Sequence, residues 1–203
     1  MLESARLSMP GLRIINLPVN CGKGAAVLAG MAAARRSSFD YAMVMDSDGQ
    51  HPPQFIPHFI ELSRQNPGAM ILGTPDFGPD APLSRSKGRR VGNWWANLET
   101  LWGGKHDSLF GFRLYPLAES LAIMGKLRGG RRFDFDTILG VRLYWQGVKL
   151  INVKVPVRYF SRNEGGVSHF NYVRDNLLLF KAHVTLVLGL ISRLRAVWRL
   201  RKR

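Results

Sequence analysis

Short apolar runs alternate with helix-like spacings along most of the chain. Residues 41–45 and 69–72 are compact apolar runs of the length that buried strands have. Between them, apolar residues recur every three or four positions after Pro52-Pro53, which predicts a helix that ends near Asn66-Pro67-Gly68. This order of strand, helix and strand is typical of βαβ units. It predicts an α/β fold with a mostly parallel sheet flanked by helices.

The start of the chain extends this pattern. Residues 12–17 predict another strand, and residues 25–34 are rich in alanine and predict a helix. The glycine turn between them could bind phosphate, because glycine lets the backbone approach and the first N–H groups of a helix are free. Lys23 and Gly24 are the candidate binding residues there. A glycine turn with a solvated lysine fits the same sequence equally well.

The second half of the chain predicts further elements. The pattern indicates a loop over residues 74–82, a tryptophan-containing helix after it, a strand over 107–115, a helix over 137–145 and a strand over 148–159. Pro156 places the last strand near a sheet edge. The Gly165-Gly166 segment is a polar loop that either closes over a substrate or only connects two elements.

Charged residues beside these elements are candidate site residues. Arg113 lies within an apolar strand, so it is predicted to face a carboxylate or a substrate anion. Either Asp134 or Asp136 is expected to cap the following helix, and the other is a candidate acid, base or sugar contact. The basic cluster of residues 85–90, with Arg85 and Arg89, is either a solvated face or a site for a diphosphate.

Asp46 and Asp48 carry the strongest chemical signal. They follow the apolar run 41–45, where a strand leads into a loop, and open α/β sheets bind ligands at that end of their strands. In an extended chain the two side chains point to one side, and close carboxylates repel each other unless a cation lies between them. Oxygen ligands suit Mg²⁺ or Mn²⁺, and Gln50 could add a third oxygen. Acidic pairs also occur in turns and helix caps.

Composition narrows the class of protein. A length of 203 residues with 46% hydrophobic residues predicts one folded domain. The single Cys21 and the absence of a signal-peptide pattern predict a cytosolic setting. The net charge of +15 attracts nucleic acid, an anionic membrane or phosphorylated substrates. Nucleic acid is the least favoured partner, because the aromatic residues lie at core spacing and no nucleic-acid-binding module is recognisable.

The C-terminal segment, residues 177–203, contains an apolar stretch and a basic tail without any acidic residue. The stretch is too short, and too interrupted by Lys181 and His183, to predict a bilayer span. It predicts an amphipathic helix lying on an anionic membrane surface, or alternatively a terminal helix packed on the core.

Several motifs, in order over roughly residues 12–176, resemble the family 2 glycosyltransferases and specifically their dolichyl-phosphate mannosyltransferase branch. The motifs are Asn20-Cys-Gly-Lys-Gly24, Asp46-Ser-Asp-Gly-Gln-His51, Asp107 with Gly111-Phe-Arg113, Val155-Pro-Val157 and Gly165-Gly-Val-Ser168. The resemblance implies a GT-A domain over residues 1–176 and an inverting sugar transfer from a nucleotide-sugar donor. It also implies Mg²⁺ or Mn²⁺ on the donor diphosphate and a lipid-phosphate or polyprenyl-phosphate acceptor. A peripheral location on the cytoplasmic face of the membrane follows from that acceptor.

The resemblance assigns roles to particular residues. The metal contacts are Asp46, Asp48 and Gln50; the donor lies near Lys23; Arg113 is the arginine of a Gly-Phe-Arg motif; and the acceptor loop contains Gly165, Gly166 and Ser168. With the cluster of Arg85 and Arg89, Arg113 is expected to assist departure of the nucleoside diphosphate.

The chain departs from the family pattern in three places. The family's first strand, helix and second strand, with the acid that serves as base, have no counterpart, so an N-terminal βαβ portion is expected to be missing. Ile138 stands where the family has a glutamate, and Thr74-Pro75 stand where an arginine often lies.

These departures leave two hypotheses on function. A lipid-phosphate acceptor is already anionic and needs no strong base, whereas a hydroxyl acceptor would need Asp136, or in reserve Asp107, as general base. The alternative to an enzyme is an inactive or truncated GT-A fragment that binds a membrane or a protein.

Overall fold

The computed structural model describes residues 2–76, 83–104, 107–127, 129–157 and 172–202, with only the backbone described at residues 2, 83–88 and 172. The helices are α1 (Leu2–Ser8), α2 (Lys23–Arg36), α3 (Ile56–Gln65), α4 (Leu83–Glu99), α5 (Leu117–Gly125), α6 (Phe135–Trp145), α7 (Tyr172–Ile191) and α8 (Leu194–Arg201). The strands are β1 (Tyr41–Val44), β2 (Met70–Asp76), β3 (Arg113–Pro116) and β4 (Leu150–Pro156). A 3-10 turn, Pro53–Phe55, leads into α3.

The described strands form one sheet in the order β1-β3-β2-β4. Strand β2 pairs with β4 in parallel, and β3 pairs antiparallel with both β1 and β2. Three strands therefore run in the same direction, and β3 runs the opposite way between two of them. The predicted α/β class is confirmed, although the insertion of β3 between β1 and β2 was not predicted.

Helices cover both faces of the sheet. On one face, Met31 of α2, Met124 of α5 and Leu139 of α6 pack against Leu72 and Tyr115 of the strands. On the other face, Phe59 of α3 packs among side chains of β2, β3 and β4. This arrangement follows from the alternation of side chains along β2, since Met70 and Leu72 join the first cluster and Ile71 joins the second.

The C-terminal helices pack on α4 and α6. Ala182, Leu186 and Leu190 of α7 and Val197 of α8 are buried with Trp145. Within the described residues no single helix is long and apolar enough to cross a membrane, and α7 and α8 meet that test only as a pair bent by 90°. The predicted terminal helix is therefore two helices, and each of them buries one face in the core.

The predicted strand over residues 12–17 is wrong, because these residues lie in neither a helix nor a strand. An extended segment becomes a strand only when its backbone groups pair with a neighbouring strand, and none of the four described strands pairs with this segment. Ile15 and Leu17 are exposed accordingly.

The predicted strand over 107–115 is also shorter than expected, beginning only at Arg113. Asp107 Oδ1 accepts the N–H groups of Leu109 and Phe110 at 3.0 and 2.8 Å, and this turn competes with an extended ladder. Strand β2 in turn runs on to Asp76, into the predicted loop, because its parallel ladder with β4 continues to Pro156.

Candidate functional site

The candidate site lies at the edge of the sheet where β1 ends. Val44, the last residue of β1, pairs with Arg113, the first residue of β3. Because the two strands are antiparallel, the loop after β1 and the loop before β3 meet at this edge. Residues 46–51 and 107–112 therefore come together.

Lys23 links two carboxylates at this edge. Its Nζ lies 2.7 Å from Asp46 Oδ1 and 3.1 Å from Asp136 Oδ2. The three side chains come from the first residue of α2, the loop after β1 and the first turn of α6. The Asp46 side chain is 33% exposed and that of Asp136 is 5% exposed, so the pair connects the surface of the site to its interior.

These contacts keep Lys23 and Asp136 charged. Burial alone would lower the pKa of Lys23, but Asp136 and Asp46 raise that pKa above its usual value of 10.5. Burial alone would raise the pKa of Asp136, but Lys23, Arg113 and a hydrogen bond from Tyr115 lower it below 3.8. An ammonium between two carboxylates is the arrangement that a buried charge needs.

Asp136 is held from its other side by Tyr115. The Tyr115 hydroxyl donates to Asp136 Oδ1 at 2.7 Å. Burial raises the pKa of Tyr115 well above 10.0, so the hydroxyl stays protonated and remains a donor. Tyr115 was not among the predicted site residues, although its position two residues after Arg113 places both side chains on the same face of β3.

Arg113 is bonded within the protein, to three carbonyl oxygens and, at 3.4 Å, to the Tyr115 hydroxyl. The fully buried guanidinium donates to the carbonyl oxygens of Phe110, Asp136 and Asp107 at 2.7, 2.7 and 2.8 Å. These bonds fix the loop before β3 against the start of α6. Among the described contacts Arg113 makes no direct bond to a carboxylate oxygen, although its charge lowers the pKa of the Asp136 carboxyl, and its contact with a substrate anion stays a prediction.

Gly111 provides the space that Asp46 and Lys23 occupy. A Cβ atom at this position would overlap Asp46 Oδ2 and would lie 2.8 Å from Lys23 Nζ. The glycine of the Gly-Phe-Arg motif is thus explained by close approach to the ion pair.

The predicted metal ligands Asp46, Asp48 and Gln50 lie in the loop after β1, where Asp48 is exposed and the other two are partly buried. Asp48 is exposed, and its Oδ1 accepts the N–H of Gln50 at 3.0 Å. Within the described ranges, no three His, Cys, Asp or Glu side chains cluster closely enough to hold a metal by themselves. Two carboxylates and one amide oxygen nevertheless suit Mg²⁺ or Mn²⁺ when substrate phosphates complete the coordination, as is common for Mg²⁺. The donor set therefore fits an ion that binds with a diphosphate.

His51 supports this loop, which the sequence analysis did not anticipate. Its Nδ1 accepts the N–H of Asp46 at 3.0 Å. The ring is buried and stacks on Phe112, with ring centroids 5.4 Å apart. Burial lowers the pKa of His51 below 6.5, which keeps the ring neutral and Nδ1 able to accept.

Asp107 is engaged with neighbouring groups on both oxygens. Besides the turn bonds to Oδ1, its Oδ2 accepts Arg89 at 3.2 Å and Asn93 at 3.0 Å. Arg89 thus contacts a protein carboxylate, and its role toward a diphosphate stays a prediction. The side chain of Arg85 lies outside the described residues.

Gly24 has a packing role that differs from its predicted one. A Cβ atom there would lie 2.7 Å from Gly130 O and 2.7 Å from Phe135 Cβ. The N–H of Ala25, expected to be free for phosphate, donates to Arg131 O at 2.9 Å. The start of α2 is therefore closed by the segment before α6, and Lys23 is the residue of this turn that reaches the site.

Asp134 takes a structural role, and neither candidate caps α6 with its side chain. Its two oxygens accept the N–H groups of Gly130 and Arg132 at 3.1 and 3.0 Å, which shapes the turn before the helix. Asp136 is thus the member of the pair that belongs to the site. The predicted acceptor loop, with Gly165, Gly166 and Ser168, lies outside the described residues.

The sequence is similar to one protein family and to named relatives. The sequence profile of the family described as Glycosyl transferase family 2 matches residues 1–138. Polyprenol monophosphomannose synthase of Mycolicibacterium smegmatis is 27% identical over 206 residues, covering 93% of this chain and 71% of that protein. Undecaprenyl-phosphate mannosyltransferase of Micrococcus luteus is 22% identical over 159 residues, covering 77% of this chain and 64% of that protein.

Solved structures show the same fold. Glucosyl-3-phosphoglycerate synthase from Mycobacterium tuberculosis, crystallised with Mn²⁺ and UDP-glucose, superposes with a TM-score of 0.53 at 18% identity. The match covers 93% of this chain and 58% of that one, so the chain spans less than two thirds of this neighbour's length. The predicted GT-A fold is confirmed by this likeness.

Proposed function

The chain belongs to glycosyl transferase family 2, and we propose that it moves a sugar, with inversion, from a nucleotide-sugar donor to a lipid phosphate. The observation that carries the proposal is the contact of Lys23 with Asp46, in the loop after β1 that also contains the exposed Asp48. The two relatives named above are a polyprenol monophosphomannose synthase and an undecaprenyl-phosphate mannosyltransferase, which supports a lipid-phosphate acceptor.

A divalent ion fits the donor side of this proposal. Asp46, Asp48 and Gln50 would hold Mg²⁺ or Mn²⁺ together with the donor diphosphate. When bound, the ion would supply positive charge against the negative charge that grows on the leaving nucleoside diphosphate. Lys23 lies beside the same carboxylate and adds fixed positive charge.

The state of the candidate bases supports an acceptor that is already ionised. Both oxygens of Asp136 are occupied, by Tyr115 and Lys23, and its pKa is lowered by neighbouring positive charge. Both oxygens of Asp107 also accept hydrogen bonds. Neither carboxylate is free to deprotonate a hydroxyl, whereas a phosphate acceptor needs no deprotonation at neutral pH.

A transfer assay tests this proposal. Donor sugars on UDP and GDP would be offered with Mn²⁺ and a short polyprenyl phosphate, with the corresponding polyprenol as matched acceptor. We expect transfer to the phosphate, none to the alcohol, and loss of transfer in Asp48→Ala. Transfer to the alcohol would contradict the acceptor. Donor binding without transfer would favour the rival hypothesis of a fragment that only binds. This rival is tested because the chain spans only 58% of the neighbour's length.

The outer face of α7 supports a membrane surface as partner. Its apolar residues at three- and four-residue spacing fall within an arc of about 80°, opposite the face that packs on the core. They are Val173, Leu177, Phe180, Val184, Leu188 and Ile191, each at least 41% exposed. Six exposed apolar residues along one helix form a stripe that water solvates poorly.

Basic residues follow this stripe. Leu194 and Trp198 of α8 are also exposed, and Arg195 and Arg199 follow them in sequence. We propose that α7 and α8 hold the protein on the anionic cytoplasmic face of a membrane, where a lipid-phosphate acceptor would also lie.

Vesicle co-sedimentation tests the surface. Leu188→Glu and Thr185→Glu each add one negative charge to an exposed position of α7, but only Leu188 lies in the stripe. We expect Leu188→Glu to release the protein from phosphatidylglycerol vesicles several-fold more than Thr185→Glu does. Equal release, or no binding of the wild type, would contradict the surface.

A further inference from the structure

The position of Asp136 is unusual for a residue of an open active site. It is 3% exposed, contacts Lys23 and, among the described residues, makes no hydrogen bond or ion pair with Asp48. A group so placed does not reach a substrate directly. It does contact a residue that lies on the substrate side, because the Lys23 side chain is 19% exposed and also contacts Asp46.

We propose that Asp136 and Tyr115 are positioning residues that act through Lys23. They hold Lys23 Nζ beside Asp46, where it meets the diphosphate of the donor. The proposal rests on the function given above and deepens it, since it assigns the diphosphate contact to Lys23 and the support of Lys23 to a buried pair.

The contacts of Asp136 form one connected network that fixes the orientation of its carboxylate. Arg113 donates to the Asp136 carbonyl oxygen at 2.7 Å, and the Tyr115 hydroxyl donates to Oδ1 at 2.7 Å. Only Oδ2 is left to receive Lys23, at 3.1 Å. Lysine has a long and flexible side chain, so a fixed buried acceptor restricts the positions that its ammonium can take.

The contacts of Lys23 also reduce electrostatic repulsion at the site. Asp46 and Asp136 converge on one ammonium, and without it two carboxylates would face an incoming diphosphate of the same sign. Gly111 lets the ion pair approach the backbone, because any Cβ atom would overlap Asp46. The geometry thus places a positive charge at a position where the loop of Asp46 and Asp48 alone would repel phosphate.

A double-mutant cycle tests the proposal on the full chain. The binding of UDP and of GDP, each with Mn²⁺, would be measured by calorimetry in the wild type, Asp136→Asn, Lys23→Met and the double variant. We expect Asp136→Asn to weaken binding by about tenfold when Lys23 is present and by less than about twofold when it is replaced, because groups that act through one another are not additive.

A buried carboxylate with no contact to Lys23 provides the matched control. Asp134→Asn removes a charge two residues away, from a side chain that bonds only to the preceding turn in the contacts described. Its effect on binding should be the same in both backgrounds. If Asp136→Asn does not fold, Tyr115→Phe, which keeps the ring in the core, takes its place, with a smaller loss again confined to the Lys23 background.

The outcomes separate this inference from the proposed function. If the wild type binds neither nucleotide with Mn²⁺, both the proposed function and the positioning role are contradicted. A wild type that binds, with Asp136→Asn weakening binding equally in the two backgrounds, leaves the proposed function standing and overturns the positioning role. Unchanged binding in Asp136→Asn overturns it as well.

Discussion

Each functional side chain of this site is held by another residue. The Asp46 carboxylate is held by Lys23, its backbone N–H donates to the His51 ring, and Lys23 is held in turn by Asp136. Such support restricts side chains to one geometry, which binding of a diphosphate and a metal requires. Small changes in the supporting residues should therefore weaken binding without unfolding the protein.

Gly111→Ala tests this at the residue scale. The new Cβ atom would overlap Asp46 Oδ2 and crowd Lys23 Nζ, so Asp46 must move outward. We expect at least about tenfold weaker binding of Mn²⁺ with a nucleoside diphosphate, with the protein still folded. Gly125→Ala is the control, since a Cβ atom there has no neighbour within 4 Å. Equal binding by both variants would contradict the role of Gly111.

The sequence predicts which residues gather at the site better than it predicts their contacts. Asp46, Lys23 and Asp136 were all candidates, because motif and position after a strand are local features. The roles of Tyr115 and His51 were not predicted, and neither were the backbone carbonyl partners of Arg113. The bonds of Tyr115 and Arg113 to Asp136 join residues more than twenty positions apart, which only the folded structure brings together. The bond of His51 to Asp46 is local, but no hydrophobic pattern indicates which backbone group a buried ring or guanidinium will meet.

At the scale of elements, strand β3 decides the geometry of the site. Its antiparallel insertion between β1 and β2 brings the loop of Asp107 to the loop of Asp46. Alternation of apolar runs and helices predicted α2, α3, α4, α6 and the positions of β1, β2 and β4, whereas α1 and α5 were not predicted and α7 with α8 was predicted as one helix. The direction of β3 was not predicted, since strand direction depends on long-range pairing. Residues 12–17 failed as a strand for the same reason.

Helix α2 gives a test of its packing. Gly24→Ala would place Cβ within 2.8 Å of backbone atoms of Gly130 and Arg131, which cannot move aside as a side chain can. We expect a loss of about 1–3 kcal/mol in the free energy of unfolding. Gly30→Ala, in the same helix with no atom within 4 Å, should gain up to about 1 kcal/mol from helix propensity. Denaturant unfolding measures both, and equal effects would refute the packing role.

The contact of α7 with α4 contains a buried ionisable pair. His183 Nδ1 lies 2.8 Å from Glu99 Oε1, Trp95 stacks on the His183 ring, and Glu99 Oε2 has no partner among the described residues. Burial raises the pKa of Glu99 above 4.5, although His183 partly opposes this. The folded state therefore holds the Glu99 proton more tightly than the unfolded state does.

A pH dependence of stability follows from this pKa shift. The Glu99 contribution to the free energy of unfolding is complete below pH 4.5 and is lost as the pH rises through the raised pKa of the folded state. Glu99→Gln has no such loss, so its stability relative to the wild type should increase with pH over that window and then level off. Urea unfolding of both proteins at a series of pH values measures the difference. A difference that is independent of pH would contradict a raised pKa.

At the scale of the whole molecule, two features work together in the proposed function. The site lies at one edge of the sheet, and the apolar stripe of α7 lies on the outer face of a helix that packs on α4 and α6. Net charge and the basic tail indicated an anionic partner, but only packing shows which face of α7 stays exposed. A protein held on a membrane by this face would meet its lipid-phosphate acceptor in two dimensions, which raises the effective concentration of the acceptor.

The central claim is that Asp46 and Asp48 hold a divalent ion together with a nucleoside diphosphate. The most direct measurement is Mn²⁺ affinity by electron paramagnetic resonance, with and without UDP or GDP, in the wild type, Asp48→Ala and the surface control Glu61→Ala. We predict that a nucleoside diphosphate tightens Mn²⁺ binding in the wild type and in Glu61→Ala, and that Asp48→Ala loses at least about tenfold in affinity. Equal Mn²⁺ affinity in all three proteins would contradict the account.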